Sequence, residues 1–380
     1  MNFEDSDEQK LVRETTASFV KRHCKPADVR HWDRTGQLPE EVYAAMADAG
    51  LLAMMVPAEY GGVGSPIADC AIALEEIARP SVDFATRLAL IGWGAMILAD
   101  FASDEIKSEI LPKVVKAETK LSFSLTEPGS GSDAASLQTK ARRDGDDYVI
   151  SGQKLYSSGA HAPNNMIVLA ARTNPDVKKH AGISLFLVPN DLPGITINRL
   201  DVVGRRILGL CEIFFDDVRL PKRMLIGEEN SGWSYINKHL ERERILLAAN
   251  YLGNARAAVD DAIRYAGERK QFGKPIGEFQ AIAHMLADMS TDVEAARWIT
   301  ASTAWRYDQG LPCVKQACMA KLFVSEMFVR VTTQGMQILG GAGYTHDHDM
   351  QRYWRDARNS TIGGGTSQIQ RSLIARELGL

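Results

Sequence analysis

Hydrophobic and polar positions change their spacing twice along the chain. Up to about residue 120 they recur with the helical period, and acidic residues at Asp5, Asp7 and Glu8 stand where the dipole of a first helix favours them. Pro39 and the two glutamates after it open another helix. After the first helix, the pattern predicts helical segments at 42–52, 68–77 and 88–101.

The middle of the chain has a different texture, in which short β-rich runs alternate with turn residues. The predicted strands are 121–125, 147–150, 166–170, 183–188, 195–197 and 213–215. No helical segment separates them, which indicates an antiparallel sandwich or barrel.

From Gly232 onward the helical period returns in three long segments, 233–266, 276–309 and 312–339, which indicates a bundle. The predicted fold class is therefore α+β with several domains. These are an N-terminal α-helical domain at residues 1–120, a middle antiparallel β-domain at 121–230 and a C-terminal four-helix-bundle domain at 231–380.

Composition narrows the classes of protein to be considered. The 380 residues are 45% hydrophobic, 24% charged and 7% aromatic, which excludes a disordered or fibrous chain. The formal charge is −4 without a basic block, so nucleic acid is not an expected partner. Five scattered cysteines without CxxC predict neither a disulfide framework nor a zinc site, and the histidines lack the HExxH spacing of a metal site.

Targeting signals and membrane segments are not expected either. The first ten residues are acidic and lack an apolar or Arg-rich leader pattern. Apolar runs such as 245–249 are much shorter than the roughly 20 residues of a membrane span. We therefore expect a cytoplasmic protein that does not bind a membrane.

Three glycine-containing clusters carry the candidate chemistry. The sequence TEPGSGSD at 126–133 follows a predicted strand and offers backbone N–H groups to an anionic or flavin-like ligand. A second cluster spans 337–343 and 361–368, where Thr366 or Ser367 can cap a closing helix, and a third spans 268–280. Taken singly, each is equally consistent with a surface turn or an interhelix loop.

Together the clusters resemble the acyl-CoA dehydrogenase family over essentially the whole chain. TEPGSGSD, RKQFGKPIGEFQA, QILGGAGY and GGTSQIQR stand in that family's order and at its spacing. The resemblance implies an oxidoreductase that binds FAD and converts an acyl-CoA thioester to trans-2-enoyl-CoA in fatty acid metabolism such as beta-oxidation. It also implies an electron-transfer flavoprotein as partner and a homotetramer built as a dimer of dimers.

The resemblance also assigns residues to the cofactor. Phe123, Leu125 and Thr126 would contact the isoalloxazine ring, and Ser132 the cofactor or CoA. In QKLYSS at 153–158, Tyr156 replaces the family's usual Trp and Ser158 its Thr, although a core aromatic is the alternative for Tyr156. Further positions near FAD, most of them facing a neighbouring subunit's cofactor, are Arg269, Gln271, Phe272, Gln337, Gly341, Thr366 and Gln368.

The catalytic base departs from the common pattern. Most of the family carries a glutamate in IYEGT, whereas residues 362–366 read IGGGT, so Gly364 offers only its backbone N–H to polarise the thioester carbonyl. A minority, including isovaleryl-CoA dehydrogenases, has the glutamate on the first long bundle helix before an arginine, and Glu243 and Arg244 match that position.

The helix that carries Glu243 also has a pattern of its own. Leu246 and Leu247 follow Glu243 on the same helix face, so burial would raise the pKa of Glu243 towards that of a useful base. The alternative is that Glu243 pairs with an arginine in a structural network. Glu241 falls nearly on the opposite face and matches a CoA-contacting position, and Arg244 is grouped with it as substrate-binding.

The identity of the acyl group is the least determined part of the implied function. Glycines at 363 and 364 remove bulk, which favours a branched, cyclic or otherwise unusual acyl group. Arg87 stands in a stretch that lines the family's acyl pocket and would meet an acidic acyl terminus, unless it faces solvent or caps a helix. The chain length, the direction of the reaction, the electron acceptor and the pathway stay open.

Three other functions remain alternatives at this point. Relatives with a helix glutamate include crotonobetainyl-CoA reductases and dehydrogenases of carrier-protein-bound prolyl groups, so the acyl carrier is open. Desulfinases of 3-sulfinopropionyl-CoA also lack the usual glutamate, although Glu243 would be superfluous in one. A flavin-free interaction scaffold is the third, and the intact cofactor motifs argue against it.

Overall fold

The computed structural model describes residues 4–380, so residues 1–3 of the predicted first domain lie outside the described part. The helices are α1 (Asp7–His23), α2 (Pro26–Thr35), α3 (Glu40–Asp48), α4 (Ile67–Ile77), α5 (Val82–Phe101), α6 (Asp104–Val115), α7 (Gly232–Glu268), α8 (Gln280–Asp308), α9 (Val314–Leu339), α10 (Met350–Ser360) and α11 (Ser367–Glu377). The strands are β1 (Lys120–Ser124), β2 (Lys140–Asp144), β3 (Asp147–Ser158), β4 (Asn165–Arg172), β5 (Ile183–Pro189), β6 (Ile195–Arg199), β7 (Leu210–Pro221), β8 (Leu225–Ile226), β9 (Lys270–Gln271) and β10 (Lys274–Pro275).

The N-terminal helices begin where the sequence signals indicate. Ser6 caps α1 in a reciprocal capping box with Gln9, and Asp7 and Glu8 occupy its first turn. The helix predicted at 42–52 is shorter, because α3 ends at Asp48 and Gly50 adopts a left-handed conformation after it. The short, strongly polar α2 and the Pro-containing α6 were not among the predicted helices.

The middle of the chain folds into one eight-stranded sheet with the strand order β6-β7-β3-β2-β4-β5-β8 and β1 beside β4. All predicted strands are present, and β2 and β8 are additional. The expectation of an antiparallel domain holds for most pairs, but β1 runs parallel to β4 over five residues. The parallel pair is possible because β2 and β3 intervene in the chain and supply the crossover between β1 and β4.

Helix α5 lies at the centre of the molecule. It is long and apolar enough by composition to cross a membrane, yet 83% of its most apolar window is buried inside the protein. Its residues pack against β1 and α7 in a core shared by the N-terminal helices and the sheet. The mostly apolar composition of α5 therefore reflects burial on most of its surface.

The C-terminal helices form a second core around α9, which contacts α7, α8, α10 and α11. Helix α7 spans 37 residues and also packs on α4 and α5, so it connects the bundle to the rest of the molecule. The helix predicted at 276–309 begins later, because the hairpin of β9 and β10 and a short turn occupy residues 270–278. The predicted domain limits at 120 and 230 stay a prediction.

Candidate active site

One cavity of about 700 Å³ lies between the sheet, α5, α7 and the start of α11. It brings together ten of the residues singled out from the sequence. These are Phe123, Leu125, Thr126, Ser132, Tyr156, Ser158, Glu241, Glu243, Arg244 and Gly364. They come from four separate segments of the chain. The fold therefore brings into one site residues that lie up to more than 200 positions apart in the sequence.

Tyr156 owes its place in the cavity to an irregularity in β3. The register with β7 shifts between Lys154 and Ser157, and Tyr156 adopts a left-handed conformation with φ +60°. Such a bulge re-aims side chains and costs a non-glycine residue strain. Its ring is 58% exposed although it is a large aromatic, so the alternative of a core aromatic is wrong.

A buried ion pair fixes the TEPGSGSD loop beside Tyr156. Lys154 Nζ donates to Glu127 Oε1 at 2.7 Å and to the Leu125 carbonyl at 3.0 Å. The Glu127 carboxylate also accepts two backbone N–H groups, that of Thr139 at Oε1 and that of Gln138 at Oε2. Lys154 is fully buried, and burial lowers its pKa to about 8. The sequence analysis gave neither partner a role, although both belong to motifs that it quoted.

Glu243 is a half-buried carboxylate on α7 that lines the cavity. Within residues 4–380 it makes no hydrogen bond and no ion pair, despite its neighbour Arg244. Burial raises its pKa, and the charges of Arg244 and Lys321 oppose the rise. No contact therefore supports the alternative that Glu243 forms a structural ion pair with an arginine. An unpaired carboxylate facing a cavity is available to accept a proton.

The loop around Gly364 faces this carboxylate. A Cβ atom at Gly364 would lie 3.8 Å from Glu243 Oε1 and only 2.3 Å from Leu247 Cδ1, and Gly364 has φ +64°. Leu247 thus fills space that a side chain at 364 would need, so the prediction that glycine 364 leaves extra room there is wrong. Among the described residues, the Gly364 N–H has no hydrogen-bond acceptor.

Lys321 on α9 holds that loop in place. Its Nζ donates to the carbonyls of Ser360, Gly363 and Gly365 at 2.9, 2.8 and 2.7 Å. Burial lowers the pKa of Lys321 to about 8, while Glu243 raises it. Three charge-assisted hydrogen bonds to one turn make the loop rigid. The sequence analysis missed Lys321; its signal is a single lysine between Ala320 and Val324 on a buried helix face.

Charged groups collect at another part of the same cavity. Glu241 lines it and accepts a hydrogen bond from Cys313 Sγ at 3.0 Å, and Arg244 and Arg376 line it too. Glu241 and Glu243 stand nearly on opposite faces of α7, as their spacing predicts, and both line the cavity because it extends around the helix. Arg244 is buried, and its Nε has no hydrogen-bond partner in the described structure.

Several predicted cofactor residues lie outside the cavity on exposed surface. Arg269, Gln271 and Phe272 belong to the hairpin after α7, and Phe272 is 93% exposed. Gln337 and Gly341 are exposed at the end of α9, and Thr366 caps α11 by accepting the Ile369 N–H at 3.1 Å. Gln368 is exposed on the first turn of that helix. Their predicted contact with a neighbouring subunit's FAD stays a prediction.

Arg87 does not line this cavity. It is 3% exposed, so neither a solvent-facing nor a surface role applies, and it lines a second cavity on the other side of α5. The side chain before it, Thr86, faces the first cavity. Successive helical residues point about 100° apart, which separates the two side chains.

The other reactive groups are not assembled into a site. All five cysteines are free and buried. Within residues 4–380, no three His, Cys, Asp or Glu side chains are placed to hold a metal ion. His346 lies exposed in the loop before α10.

The residues present fit a flat aromatic ligand. An exposed Tyr156 ring, the hydroxyls of Thr126 and Ser158 and the backbone of the 126–133 loop converge on one wall of the cavity. Phe272, which is almost fully exposed, offers a further aromatic contact from the surface of the bundle. These groups supply stacking surface and neutral hydrogen bonds, which is the chemistry that a flavin needs.

Comparisons with known proteins agree along the whole chain. Family profiles described as acyl-CoA dehydrogenase N-terminal, middle and C-terminal domains match residues 6–118, 122–218 and 230–379. A probable acyl-CoA dehydrogenase, YngJ of Bacillus subtilis, is 40% identical over 100% of both chains. The cyclohexane-1-carbonyl-CoA dehydrogenase of Geobacter metallireducens is 36% identical over 99% of this chain and 98% of its own. The solved butyryl-CoA dehydrogenase of Megasphaera elsdenii superposes with a TM-score of 0.95 at 30% identity, covering 100% of both chains.

Proposed function

The chain belongs to the acyl-CoA dehydrogenase family, whose members are FAD-dependent oxidoreductases acting on CH–CH bonds, and from this premise we propose that Glu243 is its catalytic base. The proposed reaction is α,β-dehydrogenation of an acyl-CoA thioester to the trans-2-enoyl thioester. The observation that carries the proposal is the unpaired Glu243 carboxylate beside Gly364.

Glu243 would remove the α-proton of the thioester. The α-hydrogen is weakly acidic, so its removal needs a positioned carboxylate whose pKa lies near the working pH. Burial raises the pKa of Glu243 in that direction. FAD, when bound against Phe123, Leu125, Thr126, Tyr156 and Ser158, supplies the acceptor for the β-hydrogen as hydride.

Gly364 would assist through its backbone. A free N–H beside the base can donate to the thioester carbonyl, where negative charge develops as the α-proton leaves. Lys321 keeps this N–H in position through its three hydrogen bonds to neighbouring carbonyls. Lys321 is a positioning residue, because its Nζ is engaged within the loop.

An uncharged, apolar acyl group suits the cavity best. The cavity wall includes apolar side chains, namely Ala89, Leu90, Trp93, Phe123, Leu246 and Leu247. The charged residues Glu241, Arg244 and Arg376 are suited to the polar CoA part. Arg87 lies in the other cavity, so a contact with an acidic acyl terminus has no support. A branched or cyclic group remains part of the proposal, in keeping with the name of the Geobacter relative.

The remaining partners are proposed by similarity. We propose an electron-transfer flavoprotein as the electron acceptor, a homotetramer as the assembly and the cytoplasm as the location. The exposed Phe272 and its neighbours support a cofactor site completed by a second subunit. The desulfinase and carrier-protein alternatives are not favoured, since a relative that is 40% identical over the whole chain is named as a probable acyl-CoA dehydrogenase.

Anaerobic bleaching of bound flavin tests the proposal. The FAD-loaded wild type and the variants Glu243→Gln and Glu241→Gln are mixed with straight-chain, branched, cyclic and dicarboxylic acyl-CoA thioesters. We expect bleaching by an uncharged acyl-CoA with wild type and Glu241→Gln, and a loss of about 10²-fold or more in rate with Glu243→Gln. Equal bleaching by both variants would show that the base lies elsewhere, and bleaching only by dicarboxylic thioesters would refute the apolar acyl group.

A further inference from the structure

A second cavity, of about 450 Å³, lies between the loop before α3, α5 and one end of the sheet. It shares no lining residue with the catalytic cavity. Its titratable lining groups are Arg87, Lys120, His161, Arg199, Tyr43, Glu40 and Glu41. Neither the proposed reaction nor the cofactor uses any of these residues, and their arrangement points to a ligand of their own.

Arg87 is the central group of this cavity. It is 3% exposed, and its Nε and Nη1 atoms are buried without a hydrogen-bond partner. No nitrogen of its guanidinium donates a hydrogen bond to any residue between 4 and 380. Arginine stays charged in proteins, so this is a buried cation with unused donors. Such a group costs free energy unless an anion or another acceptor satisfies it.

Three glycines pack closely against the two guanidinium groups of this cavity. A Cβ at Gly159 would stand 2.7 Å from Arg87 Nη2, and one at Gly36 would stand 2.7 Å from Arg199 Nη2. A Cβ at Gly209 would be 3.0 Å from Arg199 Nε. All three glycines have φ between +67° and +74°, a conformation that side chains rarely adopt. The backbone here is thus shaped around the arginines.

The other charges leave the interior positive. Lys120 Nζ is already paired with Glu40 at 2.7 Å and with the Pro163 carbonyl at 3.1 Å. Glu40 and Glu41 are exposed, so their charges are screened by water. Burial and the charges of Arg199 and Arg87 lower the pKa of His161 to about 4, which makes it neutral at neutral pH. Neither Arg87 nor Arg199 has an ion-pair partner among the described residues. Arg199 is exposed at the cavity mouth and donates from Nη2 to the Arg206 carbonyl at 3.2 Å, so Arg87 is the buried cation of the pair.

We propose that the second cavity binds a small oxyanion, a carboxylate or phosphate group, held by Arg87 and Arg199. The guanidinium fork suits both groups, because each offers two oxygens to parallel N–H donors. Gly159, which packs on Arg87, directly follows Ser158 of the catalytic cavity, so the bound anion also braces that wall. The site is independent of the acyl group and of the identity of the base.

Calorimetric titration of the FAD-loaded protein tests the site. Inorganic phosphate and acetate are titrated separately into protein in a chloride buffer of constant ionic strength, which screens non-specific attraction equally. We expect one anion per chain. Tighter binding of phosphate would assign a phosphate-bearing ligand, and tighter binding of acetate a carboxylate.

Four variants locate the binding. Arg87→Met is expected to weaken it by about tenfold or more, the loss typical of one charge-assisted contact. Arg199→Met is expected to weaken it too, and this exposed position is safe for folding. Glu243→Gln, in the other cavity, and Arg34→Met, an exposed change of equal charge, should keep the wild-type affinity.

Thermal unfolding supplies an independent readout. Without added anion, Arg87→Met should be at least as stable as wild type, because it removes an unpaired buried charge. With saturating anion, only proteins that keep both arginines should gain a higher Tm, since a ligand stabilises the state that it binds. The absence of any titration by wild type, wild-type affinity in both arginine variants, or an equal loss in Glu243→Gln would each refute the proposal.

Discussion

Replacing Glu243 by Gln is expected to stabilise the protein while abolishing the proposed reaction. The carboxylate has no partner within the described structure, and burial raises its pKa. In the unfolded chain a glutamate has a pKa of about 4.3. Between that pH and the raised pKa, the folded protein keeps a proton that the unfolded chain has released. Stability of wild type therefore falls as pH rises through this interval and stays reduced above it.

The size of the effect follows from the same linkage. Each unit by which the pKa of Glu243 is raised corresponds to about 1.4 kcal/mol lost from the free energy of unfolding above the interval. Glutamine has nearly the same shape and is neutral at every pH. Glu243→Gln should thus match wild type at the acid end and exceed its stability at higher pH. Wild-type activity should show the complementary profile, falling as pH drops through the raised pKa, because the base must be ionised.

Urea unfolding of the FAD-loaded proteins between about pH 4 and pH 8 measures this difference. Glu241→Gln is the matched control, because Glu241 lines the same cavity but accepts a hydrogen bond from Cys313. We expect no gain in stability with pH for this control. A Glu243→Gln protein that becomes less stable than wild type as the pH rises would refute the reasoning, since it would reveal that the ionised carboxylate has a stabilising partner.

Three further changes test the supporting contacts. Lys154→Met should destabilise the fold by about 3–5 kcal/mol in urea unfolding, because it leaves Glu127 as a buried, unpaired charge. Adding Glu127→Gln to this variant should recover part of the lost stability. Lys321→Met should lower stability by about 1.5–3 kcal/mol or more and reduce kcat more than it changes KM, because the loop at 360–365 loses its common donor. Gly364→Glu should fail to restore activity to Glu243→Gln and should cost about 1–2 kcal/mol through its positive φ alone, while Leu247→Ala relieves the added clash.

Periodicity predicted most elements because local preference and burial agree in them. Helices α1, α4 and α9 and strands β4 and β5 carry clear patterns, and they lie near the predicted positions. The elements that periodicity missed are short or atypical. Helix α2 is strongly polar, α6 contains Pro112, and β2 carries charged residues on its exposed face. Their stability comes from packing on neighbours, which a single sequence does not display.

The site shows the same division. Motif spacing identified Glu243, the 126–133 loop and the glycines at 363–365 as candidates, since each follows from residue type and order. Spacing could not show that Glu243 lacks a partner, that Leu247 fills the space beside Gly364, or that Lys321 binds the facing loop. These facts depend on which helix faces meet, and α7 and α9 meet through contacts between residues far apart in the chain.

The sequence alone determined the three-part order of helices, sheet and bundle, the motif set and the candidate glutamate at position 243. Those features are local, and the chain carries them in residue identity and period. Only the tertiary structure decided that Arg87 faces a separate cavity with unused donors and that Glu241 and Glu243 share one cavity. The reason is physical: burial, pairing and free volume are properties of the packed side chains of several elements at once, and no single segment specifies them.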